Sequence, residues 1–312
     1  MASNQPSVFI DGEAGTTGLG IRKRLEMVPG IGLRSLPEAQ RKDPSARQDM
    51  MARCDLVVLC LPDDAARDAV GLAGVLGTHA PKLLDASTAH RVDPEWTYGF
   101  PEMAPDQPGK IATSRKVSNP GCYPTGAIGM LRPLVRAGLV PPDYPIAISA
   151  VSGYSGGGRS LIEAHDRDGG PAFELYALGL EHKHVPEIER FAGLSRRPIF
   201  MPSTGHFRQG MLVCVPLYLD DLPGRPTGAD LREALRAFYE GCEHVTVMIG
   251  NGESKLEPEA LNGTNRLELY VRANEAHRQA VLVARLDNLG KGASGAAVQN
   301  LRLMLDLDRG PD

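Results

Sequence analysis

Cys122 lies in the run Ser118-Asn119-Pro120-Gly121-Cys122-Tyr123-Pro124-Thr125, a setting that suits nucleophilic attack on an acyl group. Pro120-Gly121 ends an extended segment, and residues 125–134 read as a helix, which puts the thiol near a helix N-terminus. The helix dipole there lowers a thiol pKa and raises the thiolate fraction. Taken alone, the pattern fits a structural cysteine equally well. Cys54, Cys60 and Cys214 fall in apolar strand-like stretches, where cysteine acts as a small hydrophobe, and Cys242 carries no signal. Five cysteines without a CxxC pair predict neither a disulfide framework nor a zinc site. His182 and His184 flank Lys183, and Pro186-Glu187 opens a helix. Histidine titrates near neutrality, so one of the pair can take the thiol proton and later protonate an alkoxide. A bare HxH pair could also ligate a metal, but no third ligand stands nearby, and no metal is expected. His165, His206 and the remaining histidines read as surface or packing residues.

A hydride source is the second element such chemistry needs. Residues 7–10 read as a strand that runs into Asp11-Gly12-Glu13-Ala14-Gly15-Thr16-Thr17-Gly18, with a helix over 19–27. Glycines spaced by three permit a tight turn and close backbone approach to a pyrophosphate seated on the helix N-terminus. The GxxGxxG spacing is weak as a motif, and its place between strand and helix strengthens it. A glycine turn without a ligand is the alternative. The second strand, 31–36, ends Leu33-Arg34-Ser35-Leu36, with Arg41-Lys42 close behind. An NAD site places an acidic residue there. Cations and a hydroxyl suit a 2′-phosphate instead, so NADP(H) is expected, a solvated basic loop being the alternative.

The elements that must position these groups follow from length and rhythm. At 312 residues, two domains are expected. Strands at 7–10, 31–36, 55–61 and 82–85 alternate with helical stretches such as 64–76, which predicts βαβ units and a parallel sheet. Beyond about residue 144, strand-like runs at 146–151, 209–219, 245–249, 267–272 and 280–286 outnumber helices, as in an α+β domain on a larger mixed or antiparallel sheet. A last helix carries Val298, Leu301 and Leu305 on one face. Lys and Arg number 34 against 38 Asp and Glu, a net charge of −4, which argues against nucleic acid or a membrane surface as partner. No leader pattern is seen in residues 1–5 and no run long enough to span a bilayer, so a cytoplasmic protein is expected.

Four blocks, in order along nearly the whole chain, resemble the N-acetyl-gamma-glutamyl-phosphate reductases of arginine biosynthesis, in their short form. They are DGEAGTTG at 11–18, SNPGCYPT at 118–125, EHKHVPE at 181–187 and DNLGKGASGAAVQN at 287–300. The resemblance implies an α/β fold: a Rossmann-type NADP-binding domain (1–119 with 288–312) and an inserted α+β catalytic and dimerisation domain (120–287). The active site would lie in the cleft between them. It implies that the Cys122 thiolate expels phosphate from an acyl phosphate, and that the thioester is reduced by NADPH to the semialdehyde. His184 would be the acid/base, oriented by Glu187, with His182 and Tyr176 lining the site. Arg91, Asn119, Ser152, Gly153 and Arg159 would bind the anionic ends of the substrate, with a surface ion pair the alternative for either arginine. Gly12, Ala14, Gly15, Thr16, Thr17, Gly18, Ser35, Arg41, Leu61, Pro62, Ser87, Asn288, Gly292 and Gly295 would hold the cofactor. A homodimer or homotetramer is expected. Aspartate-semialdehyde dehydrogenase and an N-blocked aminoadipyl-phosphate reductase share this chemistry. A redox-sensing NADP-binding protein without turnover is the reading from another class. The HKHVPEIE and SNPGCYPT blocks weigh against the first, and retention of both cysteine and histidines against the last.

Overall fold

The computed structural model describes residues 5–249 and 254–307. Contacts divide the chain into two compact units, Met1–Pro120 with Ala293–Asp312, and Gly121–Gly292.

In the first unit, β1 (Ser7–Asp11), β2 (Gly32–Arg34), β3 (Leu56–Leu59), β4 (Lys82–Asp85), β5 (Thr97–Tyr98) and β6 (Lys116–Ser118) alternate with α1 (Thr16–Leu25), α2 (Pro44–Met51), α3 (Asp63–Gly74) and α4 (Gln107–Thr113). The strands form one sheet, ordered β2-β1-β3-β4-β6-β5, and every pairing is parallel. Both faces are covered, so the centres of the main strands are apolar: Val8-Phe9-Ile10 in β1, Leu56–Leu59 in β3 and Leu83-Leu84 in β4. Val8, Ile10, Val58 and Leu84 point into one core cluster, Phe9, Val57, Leu59 and Leu83 into another. The order in which strands are added reverses between β1 and β3, and the carboxyl ends of strands at such a switch are where doubly wound sheets take ligands.

Helix α1 starts at Thr16, earlier than the 19–27 expected, despite Gly18 and Gly20. Gly18 is forced by close backbone packing, and Gly20 is tightly packed against a side chain. A Cβ at Gly18 would stand 2.6 Å from the Gly12 carbonyl oxygen, and one at Gly20 3.1 Å from Ser294 Oγ. Helix α2, absent from the sequence reading, is capped by the Asp43 carboxylate accepting from Ser45 N–H, with proline at its first position.

The second unit holds α5 (Cys122–Arg136), β7 (Ala147–Gly153), α6 (Gly158–Asp168), β8 (Phe173–Leu175), α7 (Val185–Ala192), β9 (Ile199–Gly205), β10 (Met211–Tyr218), α8 (Gly228–Phe238), β11 (Val245–Val247), β12 (Leu267–Asn274) and β13 (Gln279–Leu286). Its mixed sheet runs β11-β12-β13-β10-β7-β9-β8. Alternation assigns the faces. Met211, Val213 and Val215 of β10, Leu282 and Ala284 of β13, and Leu267 and Leu269 of β12 are buried, and α5 and α8 lie against these strands. Gly126 lets α5 approach closely, since a Cβ there would lie 2.9 Å from Val213 Cγ2. On the opposite face, register aligns Met201, Ser149, Cys214, Val283 and Tyr270 in one row. Met201 (38% exposed), Ile199 and Tyr218 on this face reach solvent.

The chain then returns to the first unit as α9 (Gly295–Met304). Its buried stripe is Ala297, Leu301 and Met304, with Val298 and Leu305 only partly buried at the margin. The turn after β13 stays with the second unit, so the return begins at Ala293 rather than 288. Asn288 explains why: its Oδ1 accepts from Gly210 N–H (2.8 Å) and its Nδ2 donates to Ser155 Oγ (3.0 Å).

Candidate active site

Cys122 is the first residue of α5, after Gly121 in extended conformation, and is half-buried. Free amides at a helix start favour negative charge on the sulfur. Gly292 packs directly on it: a Cβ there would stand 2.7 Å from Cys122 Cβ. The glycine expected to face the cofactor is thus also required by the cysteine itself. Lys291, immediately before it, is fully buried.

The histidines gather around Tyr123, the neighbour of Cys122. Its ring centroid lies 5.9 Å from those of both His182 and His184, and 5.2 Å from Phe200. The imidazoles are 4.7 Å apart, and Tyr176 lies 5.7 Å from His182. His184 N–H donates to His182 Nδ1 (3.1 Å), so a neutral His182 carries its proton on Nε2. His184 is buried at the start of α7, and Glu187, one turn on, is 1% exposed. Its Oε2 accepts from Gly121 N–H at 3.2 Å, joining α7 to the residue that precedes the cysteine.

Tyr176 donates to Tyr123 Oη (3.0 Å), which donates to the Ser203 carbonyl (3.2 Å). Burial pushes the Tyr176 phenol up to about 12, and a charge on Cys122 adds to the rise. Burial raises Tyr123 too, with Tyr176 and Cys122 adding. Both phenols therefore stay protonated as donors at neutral pH. Ser152 is buried and donates to the Gly153 carbonyl. Gly153 is squeezed by backbone, since a Cβ would meet the Arg208 carbonyl carbon at 2.6 Å. Arg159 is elsewhere in character: its Nε binds Glu163 Oε1 (2.7 Å) and its side chain is 72% exposed, a surface ion pair.

In the first unit the turn between β1 and α1 shows which glycine serves what. A Cβ at Gly12 would collide with the Cys60 carbonyl oxygen at 2.3 Å, where φ is +88°. Gly15 is different, since its Cβ would meet nothing closer than 3.5 Å and its φ is −76°. No protein atom demands glycine there, and α1 starts on it without a side-chain cap. That is a cradle for a pyrophosphate approaching bare backbone amides, so these residues fit a dinucleotide. Ala14, Thr16 and Thr17 complete the turn, and Leu61 and Pro62 follow β3 on the other side of the sheet's reversal. Gly295 opens α9.

Ser35 and Arg41 come together with two residues the sequence reading passed over, Glu13 and Arg22. Glu13 Oε2 accepts from Ser35 Oγ (2.8 Å) and Arg22 Nη1 (2.9 Å), and Oε1 from Arg41 Nη2 (3.0 Å). A charged residue inside the glycine turn was the available signal.

Ser87 Oγ donates to Asp85 Oδ2 (2.8 Å), and His90 Nδ1 lies 2.6 Å from the same oxygen. Asp85 is completely buried and His90 stacks on Trp96 with centroids 4.4 Å apart. His90 is thus held by the Asp85 carboxylate as well as by packing on Trp96, and it fixes the loop carrying Arg91. Arg91 is buried, with Nη2 3.4 Å from the Ala86 carbonyl. Asn119 is spent internally: Nδ2 donates to the Ala293 carbonyl (3.0 Å), and Oδ1 accepts from Asn300 Nδ2 (3.1 Å). His165, expected to be a packing residue, is buried and stacked on Tyr154. Among the described residues, no group of three or more His, Cys, Asp or Glu side chains could hold a metal ion. No helix among them is long and apolar enough to cross a membrane.

A parallel, doubly wound unit with a dinucleotide turn, in one chain with a mixed-sheet unit that has a cysteine at a helix start, is the build of a nicotinamide-dependent dehydrogenase. Comparison with known proteins narrows this. The NAD-binding domain of the semialdehyde dehydrogenases matches residues 21–111, and the dimerisation domain of that family residues 122–288. N-acetyl-gamma-glutamyl-phosphate reductase 2 of Pseudomonas putida is 54% identical over 308 residues, 96% of this chain and 97% of that protein. N-acetyl-gamma-glutamyl-phosphate reductase of Burkholderia cenocepacia is 52% identical over 307 residues, 96% of this chain and 97% of that protein. Aspartate semialdehyde dehydrogenases share the fold: that of Francisella tularensis has a TM-score of 0.73 at 14% identity (96% of this chain, 100% of that one), and enzyme II of Vibrio cholerae 0.71 at 16% (98% and 100%). The chain belongs to the semialdehyde dehydrogenases and, within them, to the N-acetyl-gamma-glutamyl-phosphate reductases.

Proposed function

We propose that this protein reduces N-acetyl-L-glutamyl 5-phosphate to N-acetyl-L-glutamate 5-semialdehyde and phosphate, a step of arginine biosynthesis, through a thioester on Cys122. The observation that carries the reading is the placement of Cys122 on the first residue of α5, with Gly121 tied to Glu187 and two imidazoles around Tyr123. His184 accepts the thiol proton, sulfur attacks the acyl carbon, and the phosphate leaves with the bonding pair. NADPH, when bound, supplies hydride to the thioester carbon. His184 then protonates the oxygen so formed, and takes that proton back as the C–S bond of the hemithioacetal breaks to give aldehyde and thiolate. Glu187 is a positioning residue, and His182 and the Tyr176 phenol line the site as donors. Ser152, Gly153 and Arg91 remain the substrate-binding candidates. The exposed pairing of Arg159 and the internal bonds of Asn119 favour structural roles for those two.

The first unit is the proposed cofactor domain, with the pyrophosphate on Gly15 and the 2′-phosphate at Ser35 and Arg41. The second is the proposed catalytic and dimerisation domain. Self-association is assigned to the open face of its sheet, where Ile199, Met201 and Tyr218 reach solvent and the matching family domain is a dimerisation domain. A cytoplasmic location fits a small-molecule reductase with reactive free thiols.

The test is NADP⁺ reduction with N-acetylglutamate semialdehyde. It should require phosphate and vanish in Cys122→Ala, while the variant still binds NADPH. An active Cys122→Ala enzyme, or comparable turnover of aspartate semialdehyde, refutes the reading. His184→Asn should lose far more kcat than His182→Asn, and the reverse moves the acid/base role.

A further inference from the structure

The acidic residue inside the glycine turn has no part in the reaction above, yet its carboxylate accepts hydrogen bonds from three side chains, Arg22, Ser35 and Arg41. We propose that Glu13 and Arg22, with Arg41, form a preorganised two-arginine clamp for the adenosine 2′-phosphate, in which Glu13 is the positioning residue. The inference rests on the placement of that phosphate at Ser35 and Arg41.

The donors come from three places in the chain. Arg22 is on α1, Ser35 follows β2, and Arg41 lies on the segment leading to α2. All three converge on one carboxylate, and Arg22 Nη1 also donates to Ser35 Oγ at 2.7 Å. Further contacts lock each arginine along its length: Arg41 Nε donates to the Leu36 carbonyl (3.3 Å), and Arg22 Nε pairs with Glu26 (3.2 Å). Exposure gives the arrangement a direction. The Glu13 side chain is 11% exposed, against 35% for Arg22 and 41% for Arg41. The carboxylate is the floor and the guanidinium groups are the rim. Among the described residues, Arg22 Nη2 and Arg41 Nη1 have no hydrogen-bond partner, which leaves an N–H₂ group on each arginine for an anion.

Chemistry decides between this and the opposite role, in which Glu13 would bind a free ribose hydroxyl as an NAD enzyme's acidic residue does. Oε2 already accepts two hydrogen bonds and Oε1 one, so three of about four lone-pair positions are taken by the protein. The two guanidinium groups stand at the rim above the more buried carboxylate, while Glu26, paired with Arg22 Nε, is 55% exposed and well screened by solvent. A phosphate dianion gains charge-assisted bonds there, whereas a hydroxyl gains little. Without Glu13 the like-charged guanidinium groups would splay apart.

The experiment titrates the full-length protein with 2′,5′-ADP and with 5′-AMP by calorimetry and reads the ratio of the two affinities. Wild type favours 2′,5′-ADP. Arg22→Gln and Arg41→Gln each lower the ratio roughly ten-fold or more. Glu13→Gln lowers it several-fold with 5′-AMP affinity unchanged, and Glu13→Asp, which keeps the charge, falls between Gln and wild type. If Glu13→Gln does not fold, Arg22→Gln carries the test, because its side chain is partly exposed. A ratio lost in Arg41→Gln but kept in Arg22→Gln overturns the clamp alone, as does tighter 2′,5′-ADP binding by Glu13→Gln. A wild type that binds both probes equally overturns the placement of the 2′-phosphate, and the clamp with it.

Discussion

Gly292→Ala adds one methyl group where the proposed nucleophile, Cys122, is held. The new Cβ would stand 2.7 Å from Cys122 Cβ, 3.2 Å from Cys122 Cα and 3.1 Å from the Asp287 carbonyl oxygen. Carbon atoms rest at about 3.5–4.0 Å, so the α5 start and the turn must separate by roughly 1 Å. Gly292 is not among the residues with positive φ, so alanine meets no backbone penalty and the effect is steric alone. Overpacking of this kind costs about 1–3 kcal/mol, equivalent to a fall of roughly 2–10 °C in melting temperature for a domain of this size. The functional loss is larger in proportion, because a displacement of about 1 Å at a reacting group costs on the order of 10²-fold in rate. Thermal melts, kcat and the rate of Cys122 alkylation by iodoacetamide report the three quantities. A Gly292→Ala protein with wild-type melting, turnover and alkylation refutes the claim that this glycine is required by contact with the cysteine.

Gly15→Ala is the counterpart: with nothing within 3.5 Å of the new Cβ, melting should hold or rise slightly while NADPH affinity falls at least about ten-fold, and unchanged affinity by fluorescence titration removes the pyrophosphate from that turn. Burial pushes the Cys54 thiol up to about 11 and raises Cys60 and Cys214, so at pH 8 only on the order of one in a thousand Cys54 groups is thiolate. Mass mapping after brief alkylation at pH 8 should find Cys122 labelled and those three spared, with Cys54 recruited as pH approaches 11, and rapid labelling of Cys54 at pH 8 contradicts the burial argument. Met201→Arg, at 38% exposure in the open row of the mixed sheet, should weaken self-association at least about ten-fold by sedimentation, and an unchanged mass at low micromolar concentration moves the interface elsewhere.

The parallel sheet was legible because each of its long strands is an unbroken apolar run between helical stretches, and β10, β12 and β13 were legible from length. What escaped were elements with weak local signals. β6 and β8 are three residues each, β9 contains Pro202, and α2 has almost no apolar face, so tertiary pairing rather than pattern makes them. The site shows the same division. Motif residues such as Cys122, His184 and Gly15 could be singled out as candidates from type and neighbours. The partners of Glu13 and the Asp85–His90 pair could not, because Arg22, Ser35 and Arg41 meet only after folding. Arg159 and Asn119 show the converse: a basic or amide side chain beside a motif says nothing about which protein group it will satisfy.

The return of α9 sets an order for biogenesis. Val8, Ile10, Leu84 and Val117 find their cover in Ala297, Leu301 and Met304, which leave the ribosome only after the whole second unit has been made. The unit whose sequence is translated first is thus the last to be completed, against the usual N-to-C sequence of domain folding. The mixed-sheet unit, continuous in sequence, has all its strands available beforehand. Until the final helix docks, one side of the parallel sheet is an apolar groove awaiting its own C-terminal segment, which makes that nascent stage the one most exposed to chaperones and to truncation.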